Sequence, residues 1–159
     1  MKKALFFENA KLLAEMFGII PLMYGSLGLE YITDKSFSAD DIDILIPEVF
    51  LNVHWCEFKK SLENKGYVLL DEHEHTFQKN NVLYSYASVE ELESFAGIKI
   101  SEIKQHLKEN VQFCLLTLEQ YLKVYTASSK DGYRVNVRKK KDSEKIAFIE
   151  NWLKNNSLE

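Results

Sequence analysis

The sequence predicts one α/β (α+β) domain over residues 1–159, with a small mixed sheet flanked by helices in residues 1–87 and a helical region in residues 88–159. Three observations carry this reading. Apolar residues recur at helical spacing at the start of the chain, short apolar runs bounded by turn residues follow, and helical spacing with marked helix starts returns in the last part. Of 159 residues, 46% are hydrophobic and 13% aromatic, which supplies one core. That length falls short of the ~250 residues of a (β/α)8 barrel. With 6 Gly and 2 Pro, the chain is not collagen-like or rich in linkers.

Leu5, Leu12 and Met16, beside Phe6, Leu13 and Phe17, form a stripe at i, i+7 and i+11, so the first helix is expected to end at Gly18. Ile19 to Met23 read as a buried strand leading into Tyr24-Gly25-Ser26-Leu27-Gly28. A polar loop with Thr33, Asp34, Lys35, Ser36 and Ser38 precedes Asp41-Ile42-Asp43-Ile44-Leu45-Ile46, a strand that Pro47 stops. Leu51, Trp55, Phe58 and Leu62 then repeat at helical spacing ahead of Gly66. Residues 67–78 and 82–85 predict two strands around Lys79-Asn80-Asn81, because Asn tolerates left-handed backbone angles. Ser88-Val89-Glu90-Glu91 and Thr117-Leu118-Glu119-Gln120 fit the capping box that opens a helix. Ile146, Ile149, Trp152 and Leu153 predict a last amphipathic helix, and no repeat or long linker divides the chain.

The 20 Lys plus Arg against 24 Asp plus Glu give a net charge of -4, so no general pull draws the molecule to nucleic acid or an anionic membrane. No segment approaches the ~20 apolar residues of a membrane span. Cys56 and Cys114 stand far apart without metal-type spacing, which fits buried thiols in a reducing compartment. Met1-Lys2-Lys3 precedes only the short run Ala4 to Phe7, less than a secretory signal needs. A cytoplasmic protein is expected.

The chemistry-bearing feature is Gly25-Ser26 followed by Asp41-Ile42-Asp43. Residues i and i+2 of a strand share a face, so Asp41 and Asp43 stand side by side while Ile42 and Ile44 face the core. Adjacent carboxylates repel, and a hard divalent cation such as Mg²⁺ relieves that repulsion. Gly25 permits close backbone approach, and Ser26 offers a hydroxyl and an N–H at a helix start, where phosphate binds well. Ions held there would activate an attacking oxygen and stabilise a leaving pyrophosphate.

That order of strand, Gly-Ser, helix, loop and Asp-x-Asp strand resembles the DNA polymerase β-like nucleotidyltransferases. Gly25-Ser26-Leu27-Gly28-Leu29 through Asp43 is most similar to the small stand-alone proteins of the AbiEii toxin type. Leu116 to Lys123, then Lys141-Asp142, is similar to those proteins' Lys-containing helix and later Lys-Asp pair. The resemblance implies a nucleotidyltransferase fold and transfer of a nucleotidyl group from an NTP to an acceptor hydroxyl or phosphate. It implies Mg²⁺ on Asp41 and Asp43, phosphates near Gly25 and Ser26, and Lys123, Lys141 and Asp142 lining the cleft from the helical side. RNA, a protein and a small molecule all stay open as the acceptor, as do the NTP preference, a homo-oligomer and a partner toxin or antitoxin.

The sequence departs from the family pattern just ahead of Asp41, where Ser38-Ala39-Asp40 leaves Lys35 as the near cation for a nucleotide. Active members also commonly carry a third carboxylate on a later strand. Here the candidates lie in Asp71-Glu72-His73-Glu74-His75, where alternation favours Glu74, while His73-x-His75 lacks a supporting metal ligand. These departures motivate the alternative of a catalytically inactive domain that binds a nucleotide or a protein. Arg134 to Lys141 is the one basic cluster, a solvated run or a contact for NTP or RNA phosphates, with Tyr125 and Tyr133 as core residues or base-stacking candidates. His54 and His106 fall on expected helices and need no special role.

Overall fold

The computed structural model describes residues 1–37, 39–130 and 132–156, the last stretch with side chains at 142–155. In chain order the elements are α1 (Lys2–Phe17), β1 (Leu22–Tyr24), α2 (Gly25–Thr33), β2 (Ile42–Ile46), α3 (Trp55–Asn64), β3 (Val68–Asp71), β4 (Thr76–Lys79) and β5 (Val82–Ser88). These are followed by α4 (Glu91–Ala96), β6 (Lys104–Lys108), β7 (Val111–Leu115), α5 (Leu118–Lys130) and α6 (Gly132–Asn156). The strands form one mixed sheet in the order β3-β4-β5-β2-β1-β7-β6, so the expected α+β class holds. β1 runs antiparallel to β2, and β2 runs parallel to β5.

Alternation along β2 divides the interior into two layers. Ile42, Ile44 and Ile46 join Phe6, Leu13, Phe58, Phe77 and Tyr86 on one face of the sheet. Leu45 lies with Leu22, Leu29, Leu92, Tyr121, Val124 and Ile149 in the second layer, built with α2, α4, α5 and α6. Period two puts Asp43 on the side of Leu45, toward the helical layer. The buried ridge of α1 runs through Phe6, Asn9, Ala10 and Leu13, with Leu5, Leu12 and Met16 only partly buried. Asn9 is tolerated there because its Nδ2 donates to the hydroxyls of Tyr67 (3.1 Å) and Tyr86 (2.8 Å).

Several sequence expectations change. Residues 67–78 are not one strand but β3 and β4, reversed through Glu72 to His75, with His75 at φ 53°. Four consecutive polar residues have no buried face to offer, so the chain turns there. The region expected to be helical after residue 88 contributes the hairpin β6–β7, closed by Glu109 and Asn110 at φ 51° and 67°. That is the same paired left-handed geometry that Asn80 and Asn81 adopt at φ 51° and 66°. The signal was weak because every residue of β6 is exposed. His106 consequently lies on a strand rather than a helix.

Ser88 ends β5 and its hydroxyl bonds Glu90, so α4 starts without the expected capping box. At Thr117 the box forms: the Gln120 N–H donates to Oγ1 (3.2 Å), and Oε1 of Gln120 accepts from the Thr117 N–H (2.9 Å). Cys56 is exposed on the outer face of α3, contrary to expectation, while Cys114 is half-buried and burial raises its thiol pKa. No helix among the described residues is long and apolar enough to cross a membrane. Arg134 to Lys141 and Tyr133 fall outside the described side chains.

Gly28 shows how tightly the second layer is set. A Cβ at this position would run into the Tyr121 hydroxyl and the Met23 carbonyl. Helix propensity alone favours Gly28→Ala by about 1 kcal/mol, whereas overpacking costs about 1–3 kcal/mol. Urea denaturation should show Gly28→Ala less stable than wild type. A gain in stability would contradict this packing.

Candidate functional site

The site starts from a pairing in the sheet. Tyr24, the last residue of β1, lies opposite Asp43 on β2, and the chain enters α2 directly at Gly25. Gly25 has φ 63°, and a Cβ there would come within 2.5 Å of Asp43 Oδ2. Both facts demand glycine: the backbone angle is left-handed, and the Asp43 carboxylate occupies the space of a side chain. From the other layer, the buried Tyr121 hydroxyl donates to the Gly25 carbonyl at 3.0 Å. The turn is thus held from two sides.

Lys145 of α6 reaches this turn. Its ammonium donates to Ser26 Oγ at 2.9 Å and lies 5.0 Å from the centroid of the Tyr125 ring. The residue is only 9% exposed. One helical turn away, Asp142 is 1% exposed; its Oδ2 accepts from the Ser128 hydroxyl at 2.8 Å, and its Oδ1 has no hydrogen-bond partner among the described residues. Gly25, Ser26, Asp43, Glu74, Asp142 and Lys145 border a common cavity of about 260 Å³. Tyr24, Phe95 and Tyr121 supply its aromatic wall.

A wider depression opens on the far side of Ser26, Asp43 and Lys145 and includes Lys35, Asp40 and Asp41. Burial, and then the Asp40 charge, raise the Asp41 pKa, while Lys2 partly offsets them. Glu30 ties the intervening loop back to α2, with Oε1 accepting from the Phe37 N–H at 2.7 Å. Lys35 packs its ammonium over the Phe148 ring at 4.3 Å.

Asp41 and Asp43 therefore border one depression, and Gly25, Ser26, Glu74 and Asp142 border the adjoining cavity with Asp43. Glu74 arrives there from the β3–β4 turn and not, as alternation along a strand would have it, from a strand face. The residue paired with Asp43 on β5 is Ser85, whose hydroxyl lies 3.0 Å from that of Thr76. Lys123 does not join the site. It is exposed on α5 beside Thr126 and Lys130, because Tyr121, Val124, Tyr125 and Ser128 take the inward face of that helix. The Lys141 side chain lies outside the described residues.

Sequence reasoning missed Lys145. A signal existed: Asp142, Lys145 and Ile149 share one helical face at i, i+3 and i+7, so charged residues occupy positions where the apolar stripe of α6 should continue. Among the described residues no group of three or more His, Cys, Asp or Glu is placed to hold a metal ion.

No family model matches the sequence, and no solved structure matches it. The chain is 39% identical over 150 residues to the uncharacterized protein YnaI of Bacillus subtilis (strain 168), a match that covers 94% of this chain and 96% of that protein. On that similarity, the chain belongs to the same family as YnaI.

Proposed function

We propose that the protein is a Mg²⁺-dependent nucleotidyltransferase of the cytoplasm, moving a nucleotidyl group from an NTP to an acceptor on RNA, a protein or a small molecule. The observation that carries this reading is the placement of the Asp43 carboxylate against Gly25, beside Ser26 at the start of α2. Asp41 and Asp43 fit a hard divalent cation, since both are oxygen donors on one depression and Asp41 is crowded by Asp40. When bound, Mg²⁺ would neutralise phosphate charge. Ser26 and the first N–H groups of α2 would bind phosphate oxygens at the positive end of the helix. Asp142 borders the cavity, and its buried Oδ1, without a hydrogen-bond partner among the described residues, would accept a hydrogen bond from a substrate hydroxyl. In the transfer, the acceptor oxygen, releasing its proton to solvent where it is a hydroxyl, forms a bond to the α-phosphorus as the bond to the bridging oxygen breaks and pyrophosphate leaves.

A second reading draws on Ser85. The β5 residue paired with Asp43 is Ser85, so no carboxylate stands there, and a domain that binds a nucleotide or a partner protein without turnover is the alternative.

Incubation with labelled NTPs and candidate acceptors should yield labelled product, and Asp41→Asn with Asp43→Asn should lower the rate at least about 10²-fold while the circular dichroism spectrum stays unchanged. Equal labelling by the double variant would contradict the mechanism.

Stability gives an independent check. The folded state raises the Asp41 pKa, so this carboxyl holds its proton more tightly than in the unfolded chain, and ionising it at neutral pH costs folding free energy. Asp41→Asn should therefore melt above wild type at pH 7, and the gap should close as pH falls below the ordinary carboxylate range. A lower melting temperature for the variant at pH 7 would contradict the assigned environment.

A further inference from the structure

We propose that the recess bordered by Tyr24 of β1 and Phe95 of α4 is a subsite for a flat heteroaromatic ring, and that its occupant is the purine base of the nucleotide. The ring site stands on the packing of the aromatic side chains. Only the identification of the ring as the base of an NTP rests on the nucleotidyltransferase reading.

Phe95 is the ring that the fold leaves over. Each of the other phenylalanines packs against another aromatic ring, as Phe37 does on Phe148 and Phe58 on Tyr86. Phe95 makes no such contact among the described residues, is 38% exposed and belongs to neither layer of the core. A single exposed apolar side chain is ordinary on a protein surface. What sets this one apart is its place, on the border of the cavity that holds Ser26 and Asp43 and also of the recess beside it.

Tyr24 brings a second ring to the same recess. It lies nearly parallel to Tyr121, with centroids 6.5 Å apart and 18° between planes, and Tyr121 lies nearly parallel to Tyr125 at 5.8 Å and 17°. Tyr24 is the step of this staircase that borders the recess, and a further flat ring would continue the order by offset stacking. Leu45, Ala87 and Leu92 line the recess, with Glu91 and Ser94 as polar groups on its border. An apolar wall with a few polar groups is the usual make-up of a small-molecule site. The recess encloses about 510 Å³ and shares Tyr24, Leu45, Ala87 and Phe95 with the cavity, so the two are continuous. A nucleotide with its phosphates at Ser26 would carry its base past Tyr24 into this space. Two fused rings cover more of an aromatic surface than one, which favours a purine over a pyrimidine.

The test uses the full chain and the triphosphate of 2-aminopurine riboside, whose emission is quenched when the base stacks on an aromatic ring. Wild type, Phe95→Leu and Phe95→Tyr are titrated, with circular dichroism confirming that each is folded. Leu keeps an apolar side chain at this exposed position, and Tyr keeps the ring. Wild type should quench the probe on binding, and Phe95→Leu should bind it at least about 5-fold more weakly with less quenching. Phe95→Tyr should stay close to wild type, and ATP and GTP should displace the probe at lower concentrations than CTP and UTP. Absence of quenching by wild type, wild-type affinity in Phe95→Leu, a Phe95→Tyr variant as weak as Phe95→Leu, or equal displacement by purine and pyrimidine triphosphates would overturn the proposal. Quenching that depends on Phe95, without nucleotidyl transfer to any acceptor, would leave the subsite standing and remove the enzymatic reading. Transfer with an unchanged KM for the NTP in Phe95→Leu would do the reverse.

Discussion

The contact between the Asp43 carboxylate and the Gly25 backbone is the constraint on which the rest of the site depends. It follows from the register of two central strands, in which Tyr24 lies opposite Asp43 and the chain passes directly from β1 into α2. A shift of one residue would turn Asp43 into the layer of Phe6 and Phe58 and bring Ile44 toward the turn. The Ile42, Ile44 and Ile46 side chains oppose such a slip because each is fully buried. The same apolar alternation that stabilises the sheet therefore fixes where the acid stands.

The helical layer secures the other side of that turn. Tyr121 is fully buried and donates to the Gly25 carbonyl, Gly28 makes room for its hydroxyl, and Lys145 reaches Ser26 from α6. Helices α5 and α6 are thus walls of the site as well as a cap on the sheet. Their polar groups at Ser128, Asp142 and Lys145 sit where apolar residues would pack more simply, a local disagreement with core logic that is common at functional sites. Asp40 and Asp41 carry the same tension in the neighbouring depression, where burial and then the Asp40 charge raise the Asp41 pKa.

Much of this was legible in the sequence because it rests on local rules. Period-two alternation located β2 and the side of Asp43, although Asp41 precedes the strand, and the Thr117 capping box opened α5 as expected. Features that depend on three-dimensional partners were not legible. The exposed β6 had no apolar signature, the turn at Glu72 to His75 resembled a strand when read by alternation, and Lys123 carried the right charge on the wrong face of its helix. Lys145 was hidden for the opposite reason. A lysine beside an apolar stripe reads as solvated until the start of α2 is seen to lie within reach of it.

The central claim is that Asp41, Asp43 and the Gly25-Ser26 turn form one metal and nucleotide site. Crystals grown with Mn²⁺ and a non-hydrolysable NTP analogue, measured at the manganese edge, test it most directly. The expected result is an anomalous peak at the Asp41 and Asp43 carboxylates, with phosphate density at Ser26 and the first turn of α2. Manganese and nucleotide bound elsewhere, or absent from this cleft at saturating concentrations, would contradict it.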